Sequence, residues 1–243
     1  TLVWIKAQED AGLDVIGDWL RSTGGRIDIV TKSPDLDGAG VERAEAALAM
    51  SLARIGVSRF DGLVLHRAAD WHAPGMHAFL DSALKNCANS VGVSIYAVDE
   101  IPADNRLGLL QLPANVFAQG VARSGRIAAF TERGGRIYVR SVFAQGLLLM
   151  SPDAIPDRLT HLRSPIAAFQ SIAAEAGVST AALAIASART LLPTAELVLG
   201  AERPAQVVEL AAACHTVVDA AAINAALALG LTIPPGPFDP RTW

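Results

Sequence analysis

Polar side chains that can do chemistry recur where apolar stretches of this sequence end. Lys32 follows Asp28-Ile-Val-Thr31, and His66 follows Asp61-Gly-Leu-Val-Leu65. Further stretches end in Ser94, Gln111, Arg140, Ser141, Gly200 and Ala201. A lysine at the end of a buried strand is costly unless it is paired or used, and a lysine with a depressed pKa can act as a base or form a Schiff base. Both residues also have a purely structural interpretation: the ammonium of Lys32 reaches solvent, and His66 is a hydrogen-bonded histidine at the rim.

Stretches of strand length alternate with stretches of helical periodicity along the whole chain. The predicted strands are Leu2–Ile5, Ile27–Thr31, Gly62–Leu65, Ser90–Ser94, Leu107–Leu112, Arg136–Val139 and Glu196–Leu199. The predicted helices are Val41–Ile55, Trp71–Asn89, Pro165–Ala176, Thr180–Leu191 and Ala205–Ala213. Ser179 and Pro204 indicate helix starts, whereas Gly56, Gly125 and Gly177 indicate helix ends.

This alternation predicts parallel βαβ units, about seven in all. A closed (β/α)8 barrel contains eight, and a doubly wound open sheet is the competing arrangement. The open sheet usually carries G-x-G-x-x-G in its first strand-to-helix turn, and the sequence has no such motif. We therefore predict a single domain over residues 1–243 with the fold of a (β/α)8 TIM barrel, incomplete at its N-terminal strand. Barrel active sites lie where strands end, so the polar strand ends are expected to form one site beneath the loop Met150–Arg163.

The composition argues against several classes of partner. Of 243 residues, 51% are hydrophobic and 18% charged, and the net charge is −4 without any basic run, which argues against a nucleic-acid partner. No apolar stretch reaches the ~20 residues of a membrane span, so no membrane partner is expected. Cys87 and Cys214 are expected to be buried reduced thiols, which predicts a reducing, cytoplasmic compartment. The five histidines have no metal-binding spacing, and no metal site is predicted.

An ordered set of short motifs resembles the aldo-keto reductase family. The motifs are Ile29-Val-Thr-Lys32, Phe60-Asp-Gly-Leu-Val-Leu-His66, Val91-Gly-Val-Ser94, Gln111-Leu-Pro-Ala-Asn115, Arg140-Ser-Val-Phe-Ala-Gln-Gly-Leu147 and Val198-Leu-Gly-Ala201. The closing Asp239-Pro-Arg-Thr-Trp243 resembles C-termini in a bacterial branch close to sugar dehydrogenases. The set covers nearly the whole chain, and its order makes it specific. The resemblance implies a (β/α)8 barrel that reduces carbonyl groups reversibly with NADPH.

By resemblance, Lys32 and His66 fall on two of the family's four catalytic positions. A lysine ammonium beside a tyrosine lowers the pKa of the phenol, which can then exchange a proton near neutral pH. A histidine at a strand end donates a hydrogen bond to the carbonyl oxygen on which negative charge develops. The resemblance implies that NADP(H) supplies the hydride and that the substrate is a small carbonyl compound or a sugar.

The resemblance also implies a set of cofactor-binding residues. Ser94 and Gln111 match residues that hold the nicotinamide carboxamide, although Ile95 stands where the family usually has Asn. Arg140 replaces a tyrosine that stacks on the nicotinamide, as a guanidinium plane can also do. The remaining positions are Ser141, then Phe143, Gln145, Gly146 and Leu147 along the pyrophosphate, and Gly200, Ala201, Arg203, Gln206 and Glu209 at the adenosine end. Arg203 is either a partner of a 2′-phosphate or a solvated surface arginine.

The family's other two catalytic residues, an Asp and a Tyr, have no counterpart. Asp14-Val-Ile-Gly17 resembles the helix that follows the tyrosine, so Val3 stands near the place of the Asp, and no tyrosine occurs around Gln8. The chain contains only Tyr96 and Tyr138, which fall elsewhere in the pattern. The first βα unit is also missing. Either the sequence is an incomplete record of a normal reductase, or the protein is a degenerate barrel that has lost its proton donor.

A barrel that lacks one strand exposes the edges of the neighbouring strands. An upstream domain, a partner chain such as a second copy, or a rearranged strand Thr1–Ile5 would have to cover this gap. Three functions stay open: an NADP(H)-dependent oxidoreductase acting on a small aldehyde, ketone or sugar; a degenerate barrel that binds nucleotide or serves as an assembly subunit; and an enzyme that uses Lys32 and His66 in altered chemistry without a tyrosine.

Overall fold

The computed structural model describes residues 2–6, 10–36, 38–234, 236, 238–239 and 241. Its strands are β1 (Leu2–Lys6), β2 (Asp28–Lys32), β3 (Gly62–Leu65), β4 (Val91–Ser94), β5 (Leu107–Pro113), β6 (Arg136–Arg140) and β7 (Glu196–Leu197). Its α-helices are α1 (Asp10–Thr23), α2 (Val41–Ile55), α3 (Met76–Asn86), α4 (Gly125–Glu132), α5 (Arg163–Glu175), α6 (Thr180–Leu191), α7 (Pro204–His215) and α8 (Ala220–Leu231).

Strands β1 to β5 lie side by side in sequence order, β6 pairs with β7, and the pairs with assigned registers are parallel. All seven predicted strands are present, with boundaries within two residues of those expected. The predicted α/β class with parallel βαβ units is therefore confirmed. A closed (β/α)8 barrel has eight strands, and the described residues contain seven.

The chain divides into two compact units. The first unit comprises Thr1–Gln111 and Glu132–Arg136, and the second comprises Leu112–Thr131 and Ile137–Trp243. The single domain over residues 1–243 stays a prediction.

The core of the first unit is built from strands that are apolar on both faces. Every residue of β3 and β4 is buried, as expected for parallel strands that are covered on both sides. Helix α2 has the predicted bounds and buries the residues that recur at three- and four-residue spacing, namely Ala44, Leu48, Ser51 and Ile55. Gly56 ends the helix at φ 79°, where its N–H donates to the carbonyl of Leu52, so this predicted helix end is confirmed.

The prediction of one helix over Trp71–Asn89 is wrong. The structure has a 3-10 helix over Ala68–His72 and then α3, which starts only at Met76. Gly75 separates the two at φ 79°, a left-handed conformation that an α-helix cannot contain. The residue pattern on both sides is apolar enough to mimic one continuous helix.

In the second unit, two helix assignments differ from the prediction. Gly125 begins α4 rather than ending a helix, because the hydroxyl of Ser124 accepts the N–H of Arg126 in the manner of a helix start. Helix α8 was not predicted, since its run of Ala and Leu lacks a polar face that would reveal a helical period. Ser179 and Pro204 are confirmed as helix starts, and the polar loop Met150–Arg163 contains two 3-10 helices, Pro152–Ala154 and Asp157–Leu162.

The second unit packs around three aromatic rings. Phe117 stacks on Phe238 at 4.2 Å between ring centroids and meets Phe169 edge-on at 6.2 Å. Gly230 of α8 packs so closely on the chain that an added Cβ would lie 1.7 Å from the carbonyl oxygen of Val116. Among the described residues, no single helix is both long and apolar enough to cross a membrane. Two pairs of consecutive helices reach that length and hydropathy only when each pair is taken together, and both pairs are strongly bent. The pairs are Asp157–Glu175 with α6, and α7 with α8.

Candidate functional site

The strand register of the first unit places three predicted site residues, Lys32, Ser94 and Gln111, on one face of the sheet, and His66 directly follows β3. Lys32 pairs with Val64, which pairs with Gly92. Ser94 pairs with Gln111 two residues further on, and His66 follows Val64 by the same two residues. Because side chains two residues apart on a strand share a face, Lys32 lies one layer below Ser94 and Gln111. We call these four residues the strand-end cluster.

A buried hydrogen bond joins two members of this cluster. The ammonium Nζ of Lys32 donates to Oε1 of Gln111 at 2.9 Å, and the two residues are 7% and 4% exposed. In a flat sheet β2 and β5 would be three strands apart, about 14 Å. The strands of the first unit therefore curl, and the close packing of Leu109 over Gly62 agrees, since a Cβ on Gly62 would lie 2.4 Å from Leu109 Cδ1. The sequence did not predict this bond, which supplies the buried ammonium with an acceptor.

Ser33 was missed by the sequence reasoning, although it follows Lys32 directly. Its hydroxyl accepts the backbone N–H of His66 at 3.0 Å, and its own N–H donates to the carbonyl of Val64 at 2.9 Å. The ends of β2 and β3 are thus tied together by a buried side chain. This tie fixes the backbone from which the half-buried imidazole of His66 projects.

Charged residues in the segments that follow β2 and β3 form a second group that was not predicted. Nε of Arg67 lies 3.2 Å from Oδ1 of Asp35, and its Nη2 lies 3.7 Å from Oδ1 of Asp70. Asp70 is 5% exposed, and its Oδ2 finds no hydrogen-bond partner in the described part of the chain. Burial raises the pKa of Asp70 above its ordinary value, although Arg67 acts in the opposite direction.

In the second unit, the predicted pyrophosphate segment is a strained loop over residues 141–147. Ser141, Ala144 and Gln145 have φ values of 59°, 47° and 58°, and Gly146 follows at 88°. Ser141, Ala144 and Gln145 are the non-glycine residues with positive φ among the described residues. A left-handed conformation at a non-glycine residue costs about 1–3 kcal/mol of conformational free energy. We call this segment the strained loop. Backbone strain of this size persists only where the surrounding structure enforces it.

The strained loop presents backbone donors that have no acceptor in the described part of the chain. The N–H groups concerned belong to Val142, Phe143, Gln145 and Gly146. Successive N–H groups in a loop with left-handed residues form a concave nest that binds anions. Phe143, Gln145 and Gly146 of the predicted pyrophosphate segment carry such donors, whereas Leu147 is buried at the start of a 3-10 helix.

Arg140 precedes this loop and is half-buried at the end of β6. Its guanidinium belongs to a charged group with Asp239, whose pKa is lowered mainly by a hydrogen bond from Arg241 and also by the charge of Arg140. Tyr138 shares the face of Arg140 one layer below and is completely buried. Tyr96 is half-buried just after β4.

The predicted adenosine segment at the start of α7 is largely exposed. Its exposed residues include Gly200, Ala201, Arg203 and Glu209. Oε1 of Gln206 accepts the N–H groups of Glu202 and Arg203 at 2.8 and 3.1 Å. This oxygen therefore caps the helix start.

Within the described part of the chain, no three His, Cys, Asp or Glu side chains come close enough to hold a metal ion. Val3 lies in β1 opposite Ile29, whereas Gln8 is outside the described residues. Cys87 and Cys214 are half-buried rather than fully buried, and both are free thiols.

Two solved structures share the fold of this chain. One is an aldo/keto reductase from Klebsiella pneumoniae in complex with NADP and acetate, with a TM-score of 0.69 and 17% identity over 97% of this chain and 81% of that chain. The other is MGS-M4, an aldo-keto reductase enzyme from a Medee basin deep-sea metagenome library, with a TM-score of 0.70 and 13% identity over 98% of this chain and 84% of that chain. No family model and no curated protein matches the sequence. The resemblance is thereby confirmed at the level of the fold.

Proposed function

We propose that this protein is an NADP(H)-dependent oxidoreductase that interconverts a small aldehyde, ketone or sugar carbonyl and its alcohol. The observation that supports the proposal is the strand-end cluster, in which Lys32, Ser94 and Gln111 share one face of parallel strands and His66 directly follows β3. The chain also has the fold of aldo-keto reductases, one of which was solved with NADP and acetate. We further propose that the two units belong to one incomplete (β/α)8 barrel domain.

Each unit contains groups that suit one part of such a cofactor. Nε2 of Gln111 donates to no group in the described chain, because only Oε1 is engaged by Lys32, so it can donate to the nicotinamide carboxamide beside the hydroxyl of Ser94. The donors of the strained loop fit a pyrophosphate. Arg140 offers a planar cation for the nicotinamide, and Arg203 offers a charge for a 2′-phosphate. Gly200, Ala201, Gln206 and Glu209 complete the proposed adenosine end.

The bound cofactor supplies the hydride. His66 orients the carbonyl by donating a hydrogen bond to its oxygen and also delivers the proton to that oxygen. Lys32, one layer below, places a positive charge under the position where the alkoxide develops. Ser33 keeps His66 in position through its backbone N–H.

Titration of the purified chain with NADPH tests the proposal, with the fluorescence of the four tryptophans and the melting temperature as readouts. We expect quenching and a rise in Tm, followed by steady NADPH oxidation with at least one member of a panel of small aldehydes, ketones and sugars. His66→Gln should lower turnover by about 100-fold or more while NADPH still binds. His161→Gln, at an exposed position, is the matched control. Absence of quenching together with an unchanged Tm would refute the cofactor proposal.

One observation favours a second candidate, a degenerate barrel that binds nucleotide or serves as an assembly subunit. The ammonium of Lys32 contacts an amide oxygen, and the two tyrosines of the sequence lie after β4 and within β6. NADPH binding without turnover of any member of the panel would support this second function. The oligomeric state, measured by light scattering, would then show whether a second copy takes part.

A further inference from the structure

The strained loop is held by a residue that lies outside it. Asn115 follows β5 and is 1% exposed. Its Nδ2 donates to the carbonyl oxygen of Ser141 at 3.0 Å, while its Oδ1 accepts the N–H groups of Phe117 and Ala118 at 2.9 and 3.0 Å. Both ends of the carboxamide are therefore engaged, and rotation of the side chain would break all three bonds.

The carbonyl oxygen of Ser141 accepts two hydrogen bonds. It accepts from Nδ2 of Asn115 and also from the N–H of Ala144 at 2.9 Å. In a trans peptide the carbonyl oxygen and the following N–H point in opposite directions. Fixing the oxygen of Ser141 toward Asn115 therefore fixes the N–H of Val142 away from it. Ser141 is the first left-handed residue of the loop, so its orientation sets the direction in which the later donors continue.

Asn115 is itself anchored in the core of the second unit. One of the two N–H groups that its oxygen accepts belongs to Phe117, whose ring stacks on Phe238 and meets Phe169 edge-on. The preceding residue, Ala114, donates its N–H to the carbonyl of Arg140 at 3.2 Å. Two successive carbonyls, those of Arg140 and Ser141, are thus held by two successive residues, Ala114 and Asn115.

We propose that Asn115 is a positioning residue that holds the donors of the strained loop in the arrangement that binds the phosphates of the nucleotide. It acts through the carbonyl of Ser141 and does not touch the ligand. This inference rests on the proposed function and assigns a role to a residue whose side chain belongs to neither the strand-end cluster nor the strained loop.

Asn115→Asp tests the proposal with little change of shape. The carboxylate still accepts from Phe117 and Ala118, but its second oxygen faces the oxygen of Ser141 without a proton between them. We expect the Kd for NADPH and for inorganic pyrophosphate to rise about 30-fold at pH 8, measured by calorimetry. Because a protonated carboxyl can again donate to Ser141, the loss should shrink as the pH falls toward 5. Asn224→Asp, an exposed change of equal charge in the same unit, should leave both constants unchanged.

If Asn115→Asp does not fold, amide exchange in the unaltered protein decides. Inorganic pyrophosphate should slow exchange at Val142, Phe143, Gln145 and Gly146, and unchanged exchange would overturn the proposal. If the unaltered protein binds NADPH and Asn115→Asp binds it equally well at pH 8, the positioning role is refuted and the proposed function stands. If the unaltered protein binds neither NADPH nor pyrophosphate, the proposed function itself fails.

Discussion

The strand-end cluster and the strained loop are built on opposite principles. The cluster uses side chains, and regular parallel strands present Lys32 and Gln111 at a spacing fixed by the sheet register. The loop leaves backbone N–H groups without an acceptor in the described part of the chain, and three of its non-glycine residues adopt left-handed conformations. A side-chain cluster needs particular residue types on ordinary backbone. A backbone nest needs an unusual backbone and accepts many residue types, provided that something enforces the conformation.

The two regions also differ in where their free-energy cost lies. Burying the ammonium of Lys32 costs desolvation, which the amide oxygen of Gln111 offsets through a charge-assisted hydrogen bond. The strained loop costs backbone conformational energy, which the hydrogen bonds of Asn115 and Ala144 to Ser141 offset. Changes in the first region should therefore act mainly on chemistry, and changes in the second mainly on ligand binding and stability.

The largest effect is expected from Lys32→Met. Methionine fills a similar volume without the charge, so turnover should fall by about 1,000-fold while NADPH binding changes far less. Steady-state NADPH oxidation and a parallel fluorescence titration measure the two quantities. Lys85→Met is the matched control, because Lys85 is exposed on α3 and its side chain lies outside the cluster. Equal loss of activity in both variants would remove Lys32 from the mechanism.

The glycines of the two regions should respond differently to alanine. A Cβ on Gly92 would lie 2.1 Å from the carbonyl oxygen of Leu109, so Gly92→Ala should lower the free energy of unfolding by about 3 kcal/mol or more. Gly146 has open space around it but a φ of 88°, so Gly146→Ala should cost only about 1 kcal/mol of backbone strain. Urea denaturation measures both values. The reverse order would contradict the contrast between steric and conformational constraint.

The smallest effect concerns two carboxyls whose pKa values are shifted in opposite directions. Burial raises the pKa of Asp70 above 3.8, so its contribution to stability is present below that pH and is lost as the pH rises through the folded-state pKa. The hydrogen bond from Arg241 lowers the pKa of Asp239 below 3.8, so its contribution is present at neutral pH and is lost as the pH falls through the folded-state pKa.

At pH 7 we therefore expect Asp70→Asn to raise Tm and Asp239→Asn to lower it, each by about 1–3 °C. Both differences should shrink in melting curves recorded at successively lower pH, that of Asp70→Asn first, because the pKa of Asp70 is raised and the pKa of Asp239 is lowered. A lower Tm for Asp70→Asn at pH 7 would mean that the ion pair with Arg67 outweighs the burial of the charge.

The strands and the composition of the strand-end cluster could be predicted because both follow from local pattern. Runs such as Gly62–Leu65 are apolar throughout, and the polar residue that ends each run is visible in the sequence. The break before α3 and the helix start at Gly125 could not be predicted with the same certainty, since a glycine can end, start or interrupt a helix depending on its φ and on its neighbours.

Contacts between residues far apart in the chain could not be predicted from the hydrophobic pattern. The bond from Lys32 to Gln111 depends on how strongly the strands of the first unit curl, and curvature is a sum of small twists that no single residue encodes. The role of Asn115 depends on a partner in the chain after β6, and the sequence motif that contains it gives no sign of that partner. Left-handed conformations at Ser141, Ala144 and Gln145 run against the preferences of those residues.

The sequence by itself determined the order of strands and helices and which chemical groups stand at the strand ends, because hydrophobic period and residue type are local properties. Tertiary structure alone decided which of those groups touch and which backbone donors are left to bind a ligand. The physical reason is that a hydrogen bond depends on distance and direction at the ångström scale, and these are set by packing among residues far apart in the chain.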